Sequence, residues 1–554
     1  MQKPSYLSNY GGFNSLLKSG YRTFKGKNQT FFKNAEAIED IASMTRTALG
    51  QNGNYKYIIN MHDKLYLTKD TNVIAEQLEI NHPAVNVLVD ALKAQSSEQG
   101  DGTNYVVTFG GELMKYASKL VSEGLAIVDV SEGYEKAFNK TMELLDKAEK
   151  FKVSDLTNLE EATKFIKPVI GSKLVHGQED FLAPLVAQAC INVVPKEKEK
   201  FDVDNVRVAK ILGGNLMKSE VMQGMLVVRK TEGSVISCEK CNVGVYNCEF
   251  TTKGAETNDQ VVFKTADELL NYTKSEEEHM EKIVKDIVDS GVKCVITGGS
   301  ISNLAIHYFD KYGVMAFRTM SKFELRRIAR SIGATLLVKL GPPTKEEMGY
   351  ADEIKLTEVS SQKCILIKRE SENNKISTIV LRGTTNDMLD NLERVVNCGV
   401  NAYRAVCKSP VFVAGAGAID MYLSQKIVEY SREVKSLDQY AIEAFGEAFE
   451  VIPRTLMENS GINVNEKLST LRTKNSKNPN MGINIKTGDI EDAFQLGILD
   501  HLETKRWAIK HAYNSIRTII KIDQIIVAKP AGGPNLTNNP YAKASQNEAE
   551  EFWF

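Results

Sequence analysis

The sequence predicts a multi-domain α+β protein in which a mostly helical part is interrupted by a nested α/β part. Residues 34–150 carry apolar residues at helical spacing, and a similar pattern returns after about residue 405. In between, short apolar strands alternate with amphipathic helices, which is typical of an α/β domain. Two shorter segments bracket this insert. We therefore expect domain segments at 1–150, 151–216, 217–370, 371–404 and 405–554.

The first helical segment contains three helices that bear on function. The spacing of Ile38 and Ile41 predicts a helix that ends at Gly50. A second helix is predicted to open with Pro83 and to end before Gly100, and a third starts at Thr103. The residues between the last two helices therefore form a loop at a helix N-terminus.

The insert is predicted to contain strands and helices in alternation. Apolar runs predict strands at 225–228, 292–297 and 314–318. Amphipathic patterns predict helices at 267–290, 303–312 and 321–333. Residues 252–260 are polar and are expected to form a loop.

Composition excludes several classes of protein. The 554 residues are 42% hydrophobic and 25% charged, which is ordinary for a globular chain long enough for several domains. A net charge of -2 gives no general attraction to nucleic acid or to anionic lipid. The sequence has neither a signal-peptide pattern nor an apolar run of about 18 residues, the length that a membrane span needs. We expect a cytoplasmic protein without nucleic-acid or membrane partners.

The eight cysteines are spread along the chain, as in proteins of a reducing compartment. Cys238 and Cys241, with Cys248 nearby, are a candidate zinc site, but neither a second CxxC nor a neighbouring histidine completes four ligands. Residues 243–246 alternate like a strand. Structural cysteines are therefore the favoured interpretation.

Two glycine-bearing segments about three hundred residues apart indicate a nucleotide site. They read GDGTN at 100–104 and GAGA at 415–418. At a helix N-terminus, free backbone N–H groups and the helix dipole favour a phosphate, and glycines let it approach closely. Asp101 could hold the Mg²⁺ that accompanies ATP. Because GDGT alone is more often a plain turn, the accompanying motifs decide.

Four further segments accompany the glycine loops, at 45–58, 67–74, 381–400 and 492–534. In this order, with GDGTN between the second and the third, they resemble the group II chaperonins, the family of the archaeal thermosomes and the eukaryotic cytosolic chaperonin TRiC/CCT. The resemblance covers nearly the whole chain. It implies a split equatorial ATP-binding domain, a split intermediate domain, and an apical domain whose protrusion, at 252–291, closes a chamber. It also implies paralogous subunits in a double ring and unfolded client proteins.

The resemblance also implies which residues contact ATP or ADP. They are Leu49, Gly50, Gly102, Thr103, Asn104, Tyr105, Ser172, Lys173, Gly415, Ala416, Asp500 and Lys505. Ser172 and Lys173 resemble a pair that senses the γ-phosphate, and Asp500 matches an acidic residue at the ribose end. From the sequence alone, residues 49–50 read better as a helix C-cap, and Lys173 could be an ordinary solvated lysine.

The loops at 49–56 and 415–418 depart from the family pattern. Gln51 stands where the family usually has proline, and Asn54 and Tyr55 replace a Met-Asp pair. Ala416 stands where the middle glycine is usual, and its methyl group narrows the approach to the loop.

The hydrolytic residues depart further, because family members use three aspartates and this sequence keeps two. Asp101 matches the metal-binding one, and Asp70 matches one near the attacking water. Cys398 occupies the place of the third, and a neutral thiol replaces neither its charge nor its oxygen ligand. Asp390 lies roughly 12 Å away along the helix, too far to substitute. We expect ATP to be bound but hydrolysed slowly; the alternative is a register slip in the match.

The predicted helix at 321–333 carries a basic stripe. Lys322, Arg326 and Arg330 fall on one face, opposite an apolar face. The family uses the matching helix to grip unfolded clients, so this stripe is a candidate client-binding surface. A solvated face is the alternative.

Three functions stay open at this point. The chain could be an ATP-hydrolysing subunit of a folding machine, a ring subunit that retains nucleotide and mainly supplies structure and client contacts, or a free-standing cytosolic ATP-dependent enzyme. The size of the assembly separates the third from the others, and hydrolysis separates the first two.

Overall fold

The computed structural model describes residues 22–23, 27–60, 63–78, 80, 82–153, 155–174, 177–195, 197–251, 266–359, 362–369 and 376–527. Side chains are described within these ranges except at 22–23, 27–29, 266–276 and 526–527. The polar loop predicted at 252–260 and the motif end at 528–534 lie outside the described residues.

Helices make up most of the described chain. The described residues form sixteen α-helices: α1 Lys27–Arg46, α2 Thr71–Gln77, α3 Pro83–Gln99, α4 Thr103–Ser122, α5 Ile127–Lys147, α6 Leu159–Gly171, α7 Glu179–Val193, α8 Ala266–Asp289, α9 Asn303–Lys311, α10 Lys322–Ile332, α11 Asn386–Lys408, α12 Ala418–Glu433, α13 Asp438–Ala448, α14 Val451–Asn459, α15 Val464–Asn475 and α16 Leu502–Ile520.

The strands of the described residues are mostly short and belong to six sheets. They are β1 Arg22–Thr23, β2 Lys56–Ile59, β3 Leu65–Thr68, β4 Phe151–Lys152, β5 Val206–Leu212, β6 Glu220–Gln223, β7 Met225–Val227, β8 Ser237–Tyr246, β9 Val292–Thr297, β10 Met315–Arg318, β11 Leu336–Leu337, β12 Gly349–Val359, β13 Gln362–Lys368, β14 Ser377–Gly383, β15 Val411–Ala414, β16 Met481–Ile483, β17 Ile490–Asp492, β18 Leu499–His501 and β19 Ile526–Val527.

The largest sheet has seven strands in the order β10-β9-β8-β12-β13-β7, with β11 beside β8. Strands β8, β9 and β10 run parallel, whereas β12 is antiparallel to both β8 and β13. Because successive side chains of a strand point to opposite faces, Cys294 and Ile296 pack in a cluster with α10, and Val295 packs with α8 and α9. Helices therefore cover both faces of the sheet at β9.

The elements predicted for this insert are confirmed with small shifts at their ends. Strand β9 has the predicted bounds, β10 begins one residue later, and α10 lies inside the predicted 321–333. The caps explain the bounds of α10, since the Ser321 side chain accepts the N–H of Glu324 and Gly333 adopts a left-handed φ of 68°.

One hydrophobic core joins helices from both halves of the chain. Helix α4 lies at its centre, and its Phe109 is fully buried. The Phe109 ring stacks on Phe449 with a centroid distance of 4.5 Å and meets Phe445 edge-on at 5.7 Å. Such aromatic pairs add about 0.5–1.5 kcal/mol beyond the burial of their area. The residues before 148 and after 411 thus share one packed interior.

A second core packs α6, α7 and α11 against the sheet β5-β14-β6. Strand β14 is buried along its whole length and pairs in parallel with β5, with Val380 opposite Ala209. Helix α11 lies close to its neighbours here, because a methyl group on Gly399 would come within 3.1 Å of Ile170. The domain boundaries stay a prediction, since a shared core does not fix where one domain ends.

One predicted helix end is wrong. Helix α1 stops at Arg46 rather than at Gly50, because the next residues form turns in which Ala48 N–H donates to the carbonyl of Thr45. Gly50 has a φ of 83°, a conformation that favours glycine, and lies in the loop that follows. Residues 49–50 are therefore not the C-cap of this helix.

Two findings bear on the classes considered above. Across the described residues, no helix combines the length and the apolar character needed to cross a membrane. The eight cysteines are free, and the described side chains include no group of three His, Cys, Asp or Glu residues that could hold a metal ion. Cys241 lies fully buried in β8, which is the behaviour of a structural cysteine.

Candidate functional site

A cleft of about 990 Å³ lies beside the N-termini of two helices. Helix α4 follows Gly102, whose φ is 81°, and α12 follows Gly417, whose φ is 75°. Both angles fall in the left-handed region that favours glycine. Neither N-cap residue makes a side-chain hydrogen bond to its helix, so N–H groups in the first turn of both helices are suited to binding an anion. The Ala418 N–H of α12 is an exception, because it donates to the carbonyl of Gly415 at 3.0 Å.

Asp70, Asp101 and Lys173 line one end of the cleft, and Cys398 contacts Asp70 there. We call these four side chains the Lys173 cluster. Lys173 Nζ donates to the carbonyl of Gly100 at 3.1 Å and lies 3.9 Å from Asp101 Oδ1. Cys398 Sγ lies 3.9 Å from Asp70 Oδ2. All but Asp101 are buried. Motifs more than 300 residues apart in sequence thus converge here.

Local structure explains why these side chains converge. Asp70 is the N-cap of α2, where its Oδ1 accepts the N–H of Asn72 at 3.2 Å. Cys398 lies on a buried face of α11, and this helix packs directly on the glycine loop. A methyl group on Gly100 would come within 2.5 Å of Asn401 Cβ. The close packing of α11 on the loop holds the thiol beside the two aspartates.

The Lys173 cluster combines a neutral thiol with a charged amine. Burial raises the pKa of the Cys398 thiol to about 11, although Lys173 acts in the opposite direction. Burial disfavours the charged form of Lys173, but Cys398, Asp70 and Asp101 around it together outweigh burial and raise the pKa of its amine. At neutral pH, Cys398 therefore contributes no negative charge.

A second group of four side chains lies along the same cleft, and we call it the Lys505 cluster: Tyr105, Asp420, Asp500 and Lys505. Tyr105 Oη donates to Asp420 Oδ1 at 2.9 Å. Lys505 Nζ lies 3.0 Å from Asp420 Oδ2 and 3.2 Å from Asp500 Oδ2. The same nitrogen lies 4.3 Å from the centroid of the Tyr105 ring. Asp420 is fully buried and connects the first turns of α4, α12 and α16.

Two residues that were predicted to contact the nucleotide, Tyr105 and Lys505, are bonded to side chains of the protein itself. Burial disfavours the charge on Lys505, but Asp420 and Asp500 outweigh burial and raise the pKa of its amine. Burial, followed by Asp420, raises the pKa of the Tyr105 hydroxyl. The Lys505 ammonium and the Tyr105 hydroxyl are thus paired with carboxylates, and the backbone N–H groups of α4 are the better phosphate donors.

Leu49, Gly50 and Gln51 form one wall of the cleft. The Gln51 side chain donates to Glu179 Oε1 at 2.8 Å. Lys69 Nζ donates to the carbonyl of Gln51 at 3.1 Å and to that of Leu174 at 3.2 Å. The residue that replaces the family's proline therefore ties this loop to α7.

Ala416 has a φ of 54°, which is unusual for a residue with a side chain. Its methyl group lies close to β16, because a methyl group added to Gly482 would come within 3.0 Å of Ala416 Cβ. Gly415 N–H donates to the carbonyl of Ile498 at 3.1 Å, which anchors the loop beside β18. The alanine thus occupies a backbone position suited to glycine.

Three other predicted contacts, Thr103, Asn104 and Ser172, also line the cleft, whereas Gly415 is not among the lining residues. Thr103 is the first residue of α4 and is buried. Asn104 Nδ2 donates to the carbonyl of Thr45 at 3.0 Å, and Ser172 Oγ donates to the carbonyl of Val169 at 2.9 Å. These two side chains are bonded to nearby backbone.

Comparison with known proteins identifies the family. The model of the TCP-1/cpn60 chaperonin family matches residues 41–530. The chain belongs to this family. It is 42% identical to T-complex protein 1 subunit theta of Homo sapiens over 94% of this chain and 96% of that protein. The proteins of the same name from Dictyostelium discoideum and Arabidopsis thaliana are each 40% identical, over 94% and 98% of this chain and 97% and 98% of their own lengths.

Three residues that line the cleft of this chaperonin were not predicted as site residues from the sequence. Asp420, Lys69 and Glu179 are buried and make the contacts described above. A carboxylate in the first turn after a glycine loop and a lysine directly before a candidate catalytic aspartate were the available signals for the first two. Glu179 opens α7 without any motif, and its contact with Gln51 spans 128 positions, so no local pattern indicated it.

The cleft contains a carboxylate that could serve as a ligand for Mg²⁺. Asp101 offers a carboxylate next to the N-terminus of α4, and its side chain is 36% exposed. Mg²⁺ is commonly held by one or two carboxylates, with the remaining ligands supplied by phosphates and water. One carboxylate beside a phosphate-binding helix end fits that pattern.

The basic stripe lies on a separate surface of the chaperonin. Lys322, Arg326 and Arg330 are exposed on α10, and the opposite face of the helix is buried. The large apolar side chains of Met320 and Phe323 lie beside the stripe and are 62% and 70% exposed. None of these residues lines the cleft.

Proposed function

We propose that this chain is an ATP-binding subunit of a hetero-oligomeric, double-ring cytosolic chaperonin that encloses unfolded proteins and folds them, and that it hydrolyses ATP slowly. Membership of the chaperonin family and the similarity to subunit theta of T-complex protein 1 support the assignment as a chaperonin subunit. Its partners are paralogous subunits and unfolded clients, with no role for nucleic acid or membrane.

The geometry of the cleft supports ATP as the ligand. Two helix N-termini supply backbone N–H donors for the phosphates, through Gly102 and Thr103 on one side and Ala416 on the other. Gly415, whose N–H is bonded to the carbonyl of Ile498, would shape this second loop rather than donate to a phosphate. Leu49, Gly50, Asn104 and Ser172 complete the wall. Asp101 would hold Mg²⁺, and Lys173 would contact the γ-phosphate.

Slow hydrolysis follows from one observation, the position of the Cys398 thiol. It lies 3.9 Å from Asp70 and on the same side of the cleft as Asp101 and Lys173. Phosphoryl transfer to water depends on positioning and on charge, and bound Mg²⁺ would neutralise phosphate charge. Asp70 could orient a water molecule, and Lys173 could offset charge on the γ-phosphate. A neutral thiol with a pKa of about 11 accepts no proton from that water.

The same observation favours a second function, a ring subunit that retains nucleotide without significant turnover. The two functions share the cleft and differ only in how much activity remains with Asp70 alone. Hydrolysis by this subunit, measured in the assembled ring, separates them.

The basic stripe is proposed as a client-binding surface together with the exposed Met320 and Phe323. Replacing Lys322, Arg326 and Arg330 with serine should weaken crosslinking of an acidic unfolded client and reduce its dependence on salt. Crosslinking that is indifferent to the triple change would leave the stripe as a solvated face.

The nucleotide assignment is tested by Asp101→Ala. Removing the hard oxygen ligand should lower Mg²⁺-nucleotide occupancy of this subunit in the assembled ring. Asp129→Ala on α5, a partly buried aspartate outside the cleft, serves as a matched control. Unchanged occupancy would overturn the assignment. Migration of the chain as a monomer would overturn the ring assignment and favour a free-standing enzyme.

A further inference from the structure

We propose that Asp420 is a positioning residue of the nucleotide site, which acts through Lys505 to set the orientation of Asp500. The proposal rests on the ATP-binding function proposed above. Asp420 lies in the first turn of α12 and has no exposed surface, so it acts on a ligand through its neighbours.

Both oxygens of Asp420 are engaged, which fixes the carboxylate. Oδ1 accepts from Tyr105 at 2.9 Å, and Oδ2 accepts from Lys505 at 3.0 Å. A buried carboxylate is held firmly by such contacts, because breaking either one leaves a polar group unpaired. The Lys505 ammonium is held in turn.

Asp500 differs from Asp420 in its exposure, since its side chain is 37% exposed. Lys505 holds its Oδ2 at 3.2 Å. The other oxygen, Oδ1, lies over the second glycine loop, because a methyl group on Gly415 would come within 3.0 Å of it. One oxygen of Asp500 therefore faces the protein, and the other lies where the loop meets the cleft.

Removing the charge of Asp420 changes this arrangement. The buried ammonium of Lys505 would then have Asp500 as its one remaining carboxylate partner among those described above, and the partly exposed Asp500 could rotate to engage it with both oxygens. The oxygen above Gly415 would no longer be presented to the cleft.

The chemistry of the ligand follows from this orientation. A carboxylate accepts hydrogen bonds from hydroxyl groups, and the hydroxyl groups of a nucleoside triphosphate are those of its ribose. The helix N-termini take the phosphates regardless of the sugar. Asp420 should therefore control preference for the ribose diol rather than phosphate affinity.

The test uses the assembled ring and photolabelling of this subunit with 8-azido-ATP. ATP and 2′,3′-dideoxy-ATP compete for the label, and the ratio of their competition constants measures recognition of the diol. Asp500→Asn should remove most of the preference for ATP. Asp420→Asn should lower the preference about threefold to tenfold, the net worth of about one ordinary hydrogen bond. Asp420→Glu keeps the charge and should retain more of the preference.

Lys505→Arg provides a second test if Asp420→Asn does not fold. Arginine keeps the positive charge but moves the N–H donors, so this variant should also lower the ratio of the two competition constants. An equal loss of affinity for both competitors, with the ratio unchanged, would show that Asp420 only supports the fold and would overturn the proposal. An unchanged ratio in Asp500→Asn would overturn it as well. If the wild-type subunit takes no label, the ATP-binding function itself fails, and a changed ratio could not be observed.

Discussion

The two lysine clusters of the cleft are built alike but differ in their fourth member. Each places one buried ammonium near two aspartates. In the Lys505 cluster the fourth member is Tyr105, whose hydroxyl completes a hydrogen bond of 2.9 Å to Asp420. In the Lys173 cluster it is Cys398, whose sulfur lies 3.9 Å from Asp70.

This difference indicates a structural role for the Lys505 cluster and a chemical role for the Lys173 cluster. The Lys505 cluster satisfies its own charges and hydrogen bonds and can hold three helix ends together. In the Lys173 cluster the thiol makes only a weak contact with Asp70, so the Asp70 carboxylate can accept a hydrogen bond from another donor, such as water. The Lys505 cluster is therefore suited to positioning a ligand. The Lys173 cluster has groups that suit ATP hydrolysis, but it lacks a second base.

The largest expected effect is on stability, in the Lys505 cluster. Lys505→Met would leave the fully buried Asp420 without its ammonium, and removing one partner of a buried ion pair costs about 3–5 kcal/mol. Recovery of the variant subunit in the ring and its denaturant midpoint measure the effect. The exposed Lys521→Met, at the opposite end of α16, is the control. Equal behaviour of the two variants would contradict the internal pairing of this cluster.

A second prediction concerns pH and the Lys173 cluster. The folded pKa of Cys398 is raised to about 11 from an ordinary value of 9.0, so the neutral thiol is favoured by folding. Its contribution to stability is complete below pH 9 and is lost as the pH rises through 11, a difference of about 2–3 kcal/mol.

Comparison with Cys398→Ala isolates this effect from other alkaline titrations. Between pH 9 and 11, the wild-type subunit should lose more stability than the variant, while hydrolysis from pH 7 to 9 should show the same profile in both. A rise in wild-type hydrolysis near pH 9 that the alanine variant lacks would mean that a thiolate forms and takes part.

The smallest predicted effect lies in the second glycine loop. Ala416→Gly relieves a left-handed φ of 54° that costs a residue with a side chain about 1–2 kcal/mol, but it adds freedom to the unfolded chain worth about 0.4–1 kcal/mol. The difference between these two effects is a gain in stability of about 0–1.6 kcal/mol in denaturant unfolding. Ala416→Val should instead destabilise the loop. A larger loss with glycine than with valine would contradict the strain.

Much of this fold could be predicted from the sequence, because its helices and strands carry strong local patterns. The caps of α10, at Ser321 and Gly333, are local signals. The end of α1 was missed because the apolar spacing continues through Leu49 into a turn.

The site could be predicted in part. Cys398 was found because motifs flank it on both sides, and its neighbourhood with Asp70 followed from the family resemblance. Asp420 was missed because its partners Tyr105 and Lys505 lie 315 and 85 positions away, and no single-sequence pattern reports contacts of that length. The pairing of Lys505 with two carboxylates likewise became visible only in three dimensions.

The most direct test of the account is single-turnover ATP hydrolysis by this subunit in an assembled ring whose other subunits cannot hydrolyse. Cys398→Asp should raise the rate, with about 10²–10⁴ as the usual worth of a positioned base and a smaller gain if Gln51 and Ala416 have reshaped the cleft. Cys398→Ala should leave the slow wild-type rate nearly unchanged. If Cys398→Ala abolished turnover, the thiol would be part of the chemistry and the account of an impaired site would be contradicted.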